Sequence, residues 1–220
     1  MGCANFVTRP TLHFIMMGYA TLDYNSPPAD ARMNQLSDGQ PITPERLVNQ
    51  LLEFTESSCR EAYPDFEERL ELESVEYGIS EETLTEVFLK RSDEDRERML
   101  SWFITTNLAV GGVYFLGRFN REFVRLALQH LKETALEKFG DKLGPEANQP
   151  FDTVRRLLRE GGFDAYQAGM VTFLSLIGYL DHEDATRATL DTEFLNGFRM
   201  DFTKSIPYLH KAELSLLDIS

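Results

Sequence analysis

Residues Asn107–Phe119 read NLAVGGVYFLGRF, one of the most apolar runs of the chain, yet Gly111, Gly112 and Gly117 sit inside it. Glycine within a helix costs about 0.5–1 kcal/mol relative to alanine, so three of them need a reason. The run closes a long predicted helix, capped by Ser92 or Asp93, that passes through Met99, Trp102, Phe103, Leu108 and Phe115. A helix that is apolar all round is either buried or in a membrane. Met99–Phe119 is long enough to span a bilayer. Ser101, Thr105, Thr106, Asn107 and Arg118 interrupt it, and they favour a central helix buried in protein. On that reading the glycines either let neighbouring helices come close or shape the floor of a groove.

Outward from this run, helical spacing dominates and strict alternation is scarce. Downstream, Asn120 reads as a second cap. Phe123, Leu126, Ala127, Leu131, Leu136 and Phe139 then recur at three and four, with Gly140 as the stop. After a loop at Gly144–Pro150, Phe151–Arg159 is a short helix ending at Gly161-Gly162, and Phe163–Leu180 is another apolar helix. Upstream, Thr8–Asp23 is predicted to be a helix and Asn25–Pro44, with four prolines, a loop. Thr43 as N-cap, Pro44 at the first position and Glu45 in the first turn mark a helix start. Its buried stripe is Leu47, Val48, Leu51, Leu52 and Phe54, and Pro64 is expected to bend or end it. A short acidic segment, Phe66–Glu76, follows and closes at Gly78. Ser80 caps the next helix, from which Leu84, Val87 and Phe88 point inward. Tyr63 and Phe66 are expected at an exposed rim.

Composition narrows the function. The 220 residues carry 36 acidic and 22 basic side chains, a net charge of −14. This argues against a nucleic-acid surface and against general attraction to anionic membranes. Two cysteines, Cys3 and Cys59, build no disulfide framework and suggest a reducing, cytoplasmic setting. No signal peptide is apparent. The start Met-Gly-Cys has Phe6 where the myristoylation pattern wants Ser or Thr, so an unmodified start is expected. His13, His130, His182 and His210 are far apart, with no metal-binding pair among them. There is no nucleophile elbow and no phosphate-binding loop, and acidic runs such as EERLELESVE read as solvated helix faces. No enzyme chemistry and no cofactor are indicated.

Two blocks, in order, resemble the Bcl family of apoptosis regulators. Trp102–Phe123, WFITTNLAVGGVYFLGRFNREF, is similar to that family's central helix: aromatic residues, a Gly-Gly pair, then a turn into a second long helix. Arg156–Gln167, RLLREGGFDAYQ, is similar to its second homology motif, with Gly161-Gly162-Phe163-Asp164-Ala165-Tyr166 standing for Gly-Gly, an aromatic, Asp and an apolar or aromatic residue. Leu52–Leu70 resembles the groove-forming second helix, with Leu52, Tyr63 and Leu70 at matching positions, and Thr8–Tyr24 lies where the family's first helix lies.

The resemblance covers residues 8–167 and has departures. Aligned on Gly111, the family's Asn-Trp-Gly-Arg motif reads Leu100-Ser101-Trp102-Phe103, so Phe103 replaces the groove arginine. The third motif's Gly-Asp falls on Glu56 and Ser57, Gly144–Phe151 resembles an insertion, and no C-terminal anchor is recognised.

Spacing along the chain predicts an all-α bundle of about eight to ten helices around a central apolar helix, and the resemblance implies that it is Bcl-like. The resemblance implies a Bcl-like domain over residues 1–180, with a helical extension over 181–220 packed on it. By the same resemblance the chain would regulate cell death by holding an amphipathic helix of a death-regulator protein in a hydrophobic groove. The groove would be lined by Leu52, Tyr63, Phe66, Leu70, Val87, Phe88, Trp102, Phe103, Thr106, Gly111, Gly112 and Phe163. Membrane association without a transmembrane anchor and a homodimer are both compatible with it. The alternative is a helical bundle without a death role, which binds an apolar small molecule or serves as an assembly subunit.

Overall fold

The structure, a computed structural model, describes residues 43–116, 121–160, 162–191 and 193–195. The predicted helix at Thr8–Asp23, the loop after it, the Asn120 cap and the end of the chain lie outside them. Within the described residues the protein is helical and contains no strand, as the spacing predicts.

Helix α1, Pro44–Glu76, starts as its sequence dictates: the Thr43 side chain accepts a hydrogen bond from the Arg46 backbone N–H, and proline stands in the first turn. It does not end at Pro64. Cys59, Tyr63, Phe66 and Leu70 are all buried along one face, whereas Pro64 points outward to solvent. An interior proline costs about 3 kcal/mol. Burying four side chains at about 1.5–3 kcal/mol each outweighs that, so the expected acidic segment Phe66–Glu76 is the second half of one helix. Gly78, with φ of +75°, turns the chain out of α1.

Ser80 caps α2, Glu81–Leu84, by accepting from the Thr83 N–H, and the chain continues as a π-helical turn over Thr85–Leu89. Helix α3, Asp93–Leu116, begins where Ser92 Oγ accepts from the Asp95 N–H. Every residue of 101–112 is buried. Helix α4, Arg121–Leu143, runs past Gly140 because Phe139 and Leu143 continue its buried stripe; Gly144, with φ of +65°, ends it. Helix α5, Gln149–Glu160, buries Pro150, Val154 and Leu157 and turns its arginines outward. Helix α6, Ala165–Leu176, opens on a capping box between Asp164 and Gln167 and stops at Ile177, well short of the expected Leu180. Gly178, with φ of +78°, leads into a 3-10 turn, Tyr179–Asp181, and then α7, Glu183–Thr189.

Helix α3 packs against α1, α4, α5 and α6, which makes it the centre of the bundle. Three of its buried polar residues bond back along the helix. Ser101 donates to the Glu97 carbonyl (2.8 Å), Thr105 to that of Ser101 (2.9 Å) and Asn107 to that of Phe103 (2.9 Å). Among the described residues no helix is long and apolar enough to cross a membrane. Gly112 is a point of close approach: a Cβ there would stand 2.8 Å from Leu131 Cδ2 and 3.3 Å from Leu128 Cδ2 of α4. A charged chain ties the outside together, running Lys138–Glu56–Arg60–Glu97–Lys142 across α1, α3 and α4.

Candidate functional site

The residues singled out from the sequence converge on one interior cluster. Tyr63 and Phe66 of α1, Phe103 of α3 and Phe173 of α6 all touch one another. Phe103 lies 4.9 Å from Phe66, 5.2 Å from Tyr63 and 5.5 Å from Phe173, between ring centroids. Phe66 and Tyr63 meet Phe173 edge-on at 5.6 and 6.5 Å. Edge-on and tilted contacts are the favourable ones, because the positive ring edge meets the negative face. The expected rim is therefore an interior: Tyr63 is 7% exposed and Phe66 1%. The cause is the uninterrupted α1, which keeps both on the same face as Cys59 and Leu70.

The other expected groove residues are placed as follows. Leu52 and Leu70 are buried on α1, Val87 and Phe88 on the π-turn, and Trp102, Thr106, Gly111 and Gly112 on α3. Phe163 is half-buried just before α6. Phe103, in the position the family gives to arginine, is 1% exposed within the aromatic cluster, where a guanidinium would be stranded without water. The Thr106 hydroxyl is buried without a hydrogen-bond partner. Gly162 adopts φ of +94° after the end of α5, and Asp164 caps α6 two residues on.

Three contributors were not singled out in the sequence. Phe173 is fixed by the Asp164 cap, which sets the phase of α6 and aligns Gly169, Phe173 and Ile177 on its inner face. Tyr179 is fully buried; its hydroxyl shares a 2.7 Å hydrogen bond with Ser74, and its ring lies 6.4 Å from Phe88. Arg91 donates from Nη2 to the Ile177 carbonyl and from Nε to the Val87 carbonyl. The signal for Arg91 was present: with Leu84 and Val87 it makes an i, i+3, i+7 set, which puts a cation on an apolar face.

Two buried phenols are held from ionising. Burial, then the charge and hydrogen bond of Glu67, pushes the Tyr63 phenol far up, opposed by the Arg91 and Arg96 charges. Burial raises Tyr179 to about 12, partly offset by its bond to Ser74. Both stay neutral donors at physiological pH. No group of three His, Cys, Asp or Glu residues is arranged to hold a metal among the described residues. A shallow hollow lined by Asp65, Glu68, Arg69, Leu72, Glu73 and Glu76 lies on α1, apart from the aromatic cluster. Comparison with known proteins finds no matching family model, no matching curated protein and no matching solved structure.

Proposed function

We propose that this chain is a cytoplasmic interaction protein of Bcl-like design that regulates cell death by taking an amphipathic helix against its aromatic cluster. The observation that carries the reading is the meeting of Tyr63, Phe66 and Phe103, chosen from the first resembling block and the helix before it, on one apolar centre with Phe173. A partner helix would present anchors at i, i+3, i+4 and i+7 to such a surface. With Phe103 where the family has arginine, an aspartate on that helix has no guanidinium to meet, so recognition would be apolar. In the described state these residues are covered, so binding requires an element of the bundle to move.

Titrating a panel of death-motif peptides into the full chain by calorimetry tests the proposal. Binding in the low micromolar range, weakened about tenfold or more by Phe173→Ala, is expected. Absence of heat with every peptide at high micromolar concentration would overturn it.

A further inference from the structure

The element best placed to move is residues 79–91. It is bounded by the Gly78 turn on one side and the start of α3 on the other. Its inward side chains, Leu84, Val87 and Phe88, fall at i, i+3 and i+4, the spacing an external amphipathic helix would present. It is only one short α-helical turn followed by a π-turn, a rare geometry that recurs at functional sites.

Besides the Ile79 N–H bond to the Ser74 carbonyl, two polar tethers tie it to the later helices among the described residues. The Ser80 N–H donates to Asp184 Oδ2 at 2.9 Å, and the Arg91 guanidinium reaches the Ile177 carbonyl. Ile177 is the C-cap of α6, whose last turn has no basic residue of its own, so Arg91 is the cation at the negative end of that helix. The same guanidinium acts electrostatically on Tyr63, and Phe173 lies one turn before Ile177. Arg91 therefore reaches the end of the helix that carries Phe173.

We propose that residues 79–91 form a detachable lid, an internal stand-in for a ligand helix, and that Arg91 is its latch on the end of α6. The latch stands on its own contacts; its role as a gate to partners rests on the helix-binding reading above. When the lid lifts, Phe88 leaves Tyr179 and the apolar faces of Leu84, Val87 and Phe88 come off the core.

Hydrogen exchange of the full chain, wild type against Arg91→Ala, with Arg91→Lys as the milder variant, tests the latch. Amides of 79–91 are expected to exchange about tenfold faster in Arg91→Ala and by an intermediate factor in Arg91→Lys, with 101–112 unchanged. Unchanged exchange in the lid would overturn the proposal. So would equal acceleration in 101–112, which makes Arg91 a support of the whole fold. The same peptide panel reads the gate: Arg91→Ala binds about tenfold more tightly if the lid competes, and equal affinity for both proteins removes the gate. A faster lid with no peptide bound to either protein leaves the latch standing and removes the helix-binding function.

Discussion

Replacing Phe103 by alanine takes away a ring that is 1% exposed and that touches three other rings at 4.9, 5.2 and 5.5 Å. Truncating a buried phenylalanine costs about 3–5 kcal/mol, depending on how far the site can collapse. Three aromatic neighbours, each worth about 0.5–1.5 kcal/mol beyond area, place this site in the upper half of that range. A loss of about 4–5 kcal/mol, divided by a urea slope of about 2–3 kcal/mol per molar, lowers the midpoint by about 1.3–2.5 M. The assay is a urea titration followed by the fluorescence of Trp102, the only tryptophan, which is 4% exposed and adjacent in sequence. Phe103→Leu, which keeps most of the volume, should lose less than half as much. Phe103→Ala combined with Phe173→Ala should show about 1 kcal/mol of coupling. A midpoint shift below about 0.5 M, or strict additivity of the two truncations, refutes the cluster as the centre of the fold.

Three further outcomes are expected. Thr106→Val exchanges an unpartnered buried hydroxyl for a methyl of the same shape and should stabilise by about 1 kcal/mol, read as a higher urea midpoint; a lower one contradicts the burial assigned to that hydroxyl. Gly112→Val drives side-chain carbon into Leu131 and should cost about 1–3 kcal/mol, whereas Gly112→Ala should cost less because alanine gains helix propensity; both variants being neutral would mean that α3 and α4 are not in close contact. Burial raises the Glu56 carboxyl, but its hydrogen bonds to Lys138 and Arg60 outweigh that, and Glu97 is held down chiefly by Lys142. Both folded-state values therefore lie below the unfolded value of 4.5, so their stabilisation is present above that pH and is lost as pH falls through the folded values. Glu97→Gln should flatten the midpoint-against-pH curve between pH 7 and pH 3, by no more than about 1 kcal/mol for a partly exposed network, and an unchanged curve would show that the charged chain contributes nothing.

What could be read from residues alone is what depends on neighbours in sequence. The all-α class, the Thr43, Ser80 and Ser92 starts and the stop at Gly78 follow from spacing and capping, because a cap bonds to backbone three residues away. The buried central helix was legible for the same reason: no face of 101–112 is polar enough to meet water. The candidate site was legible only in part. Tyr63, Phe66 and Phe103 can be picked out from the sequence and Phe173 cannot, since nothing in one helix reports which ring of another will reach it.

Tertiary packing decided the remainder. It carried α1 through Pro64, because the residues on either side are buried on one face while the proline faces out, and no local rule weighs that burial against a lost hydrogen bond. It turned Tyr63 and Phe66 from rim to core. It set Arg91 on the end of α6, a contact across 86 residues of chain. Local hydrogen bonds and periodicity settle which segments are helices; which surfaces are covered depends on apolar area removed from water between distant segments, and that exists only once the chain has folded.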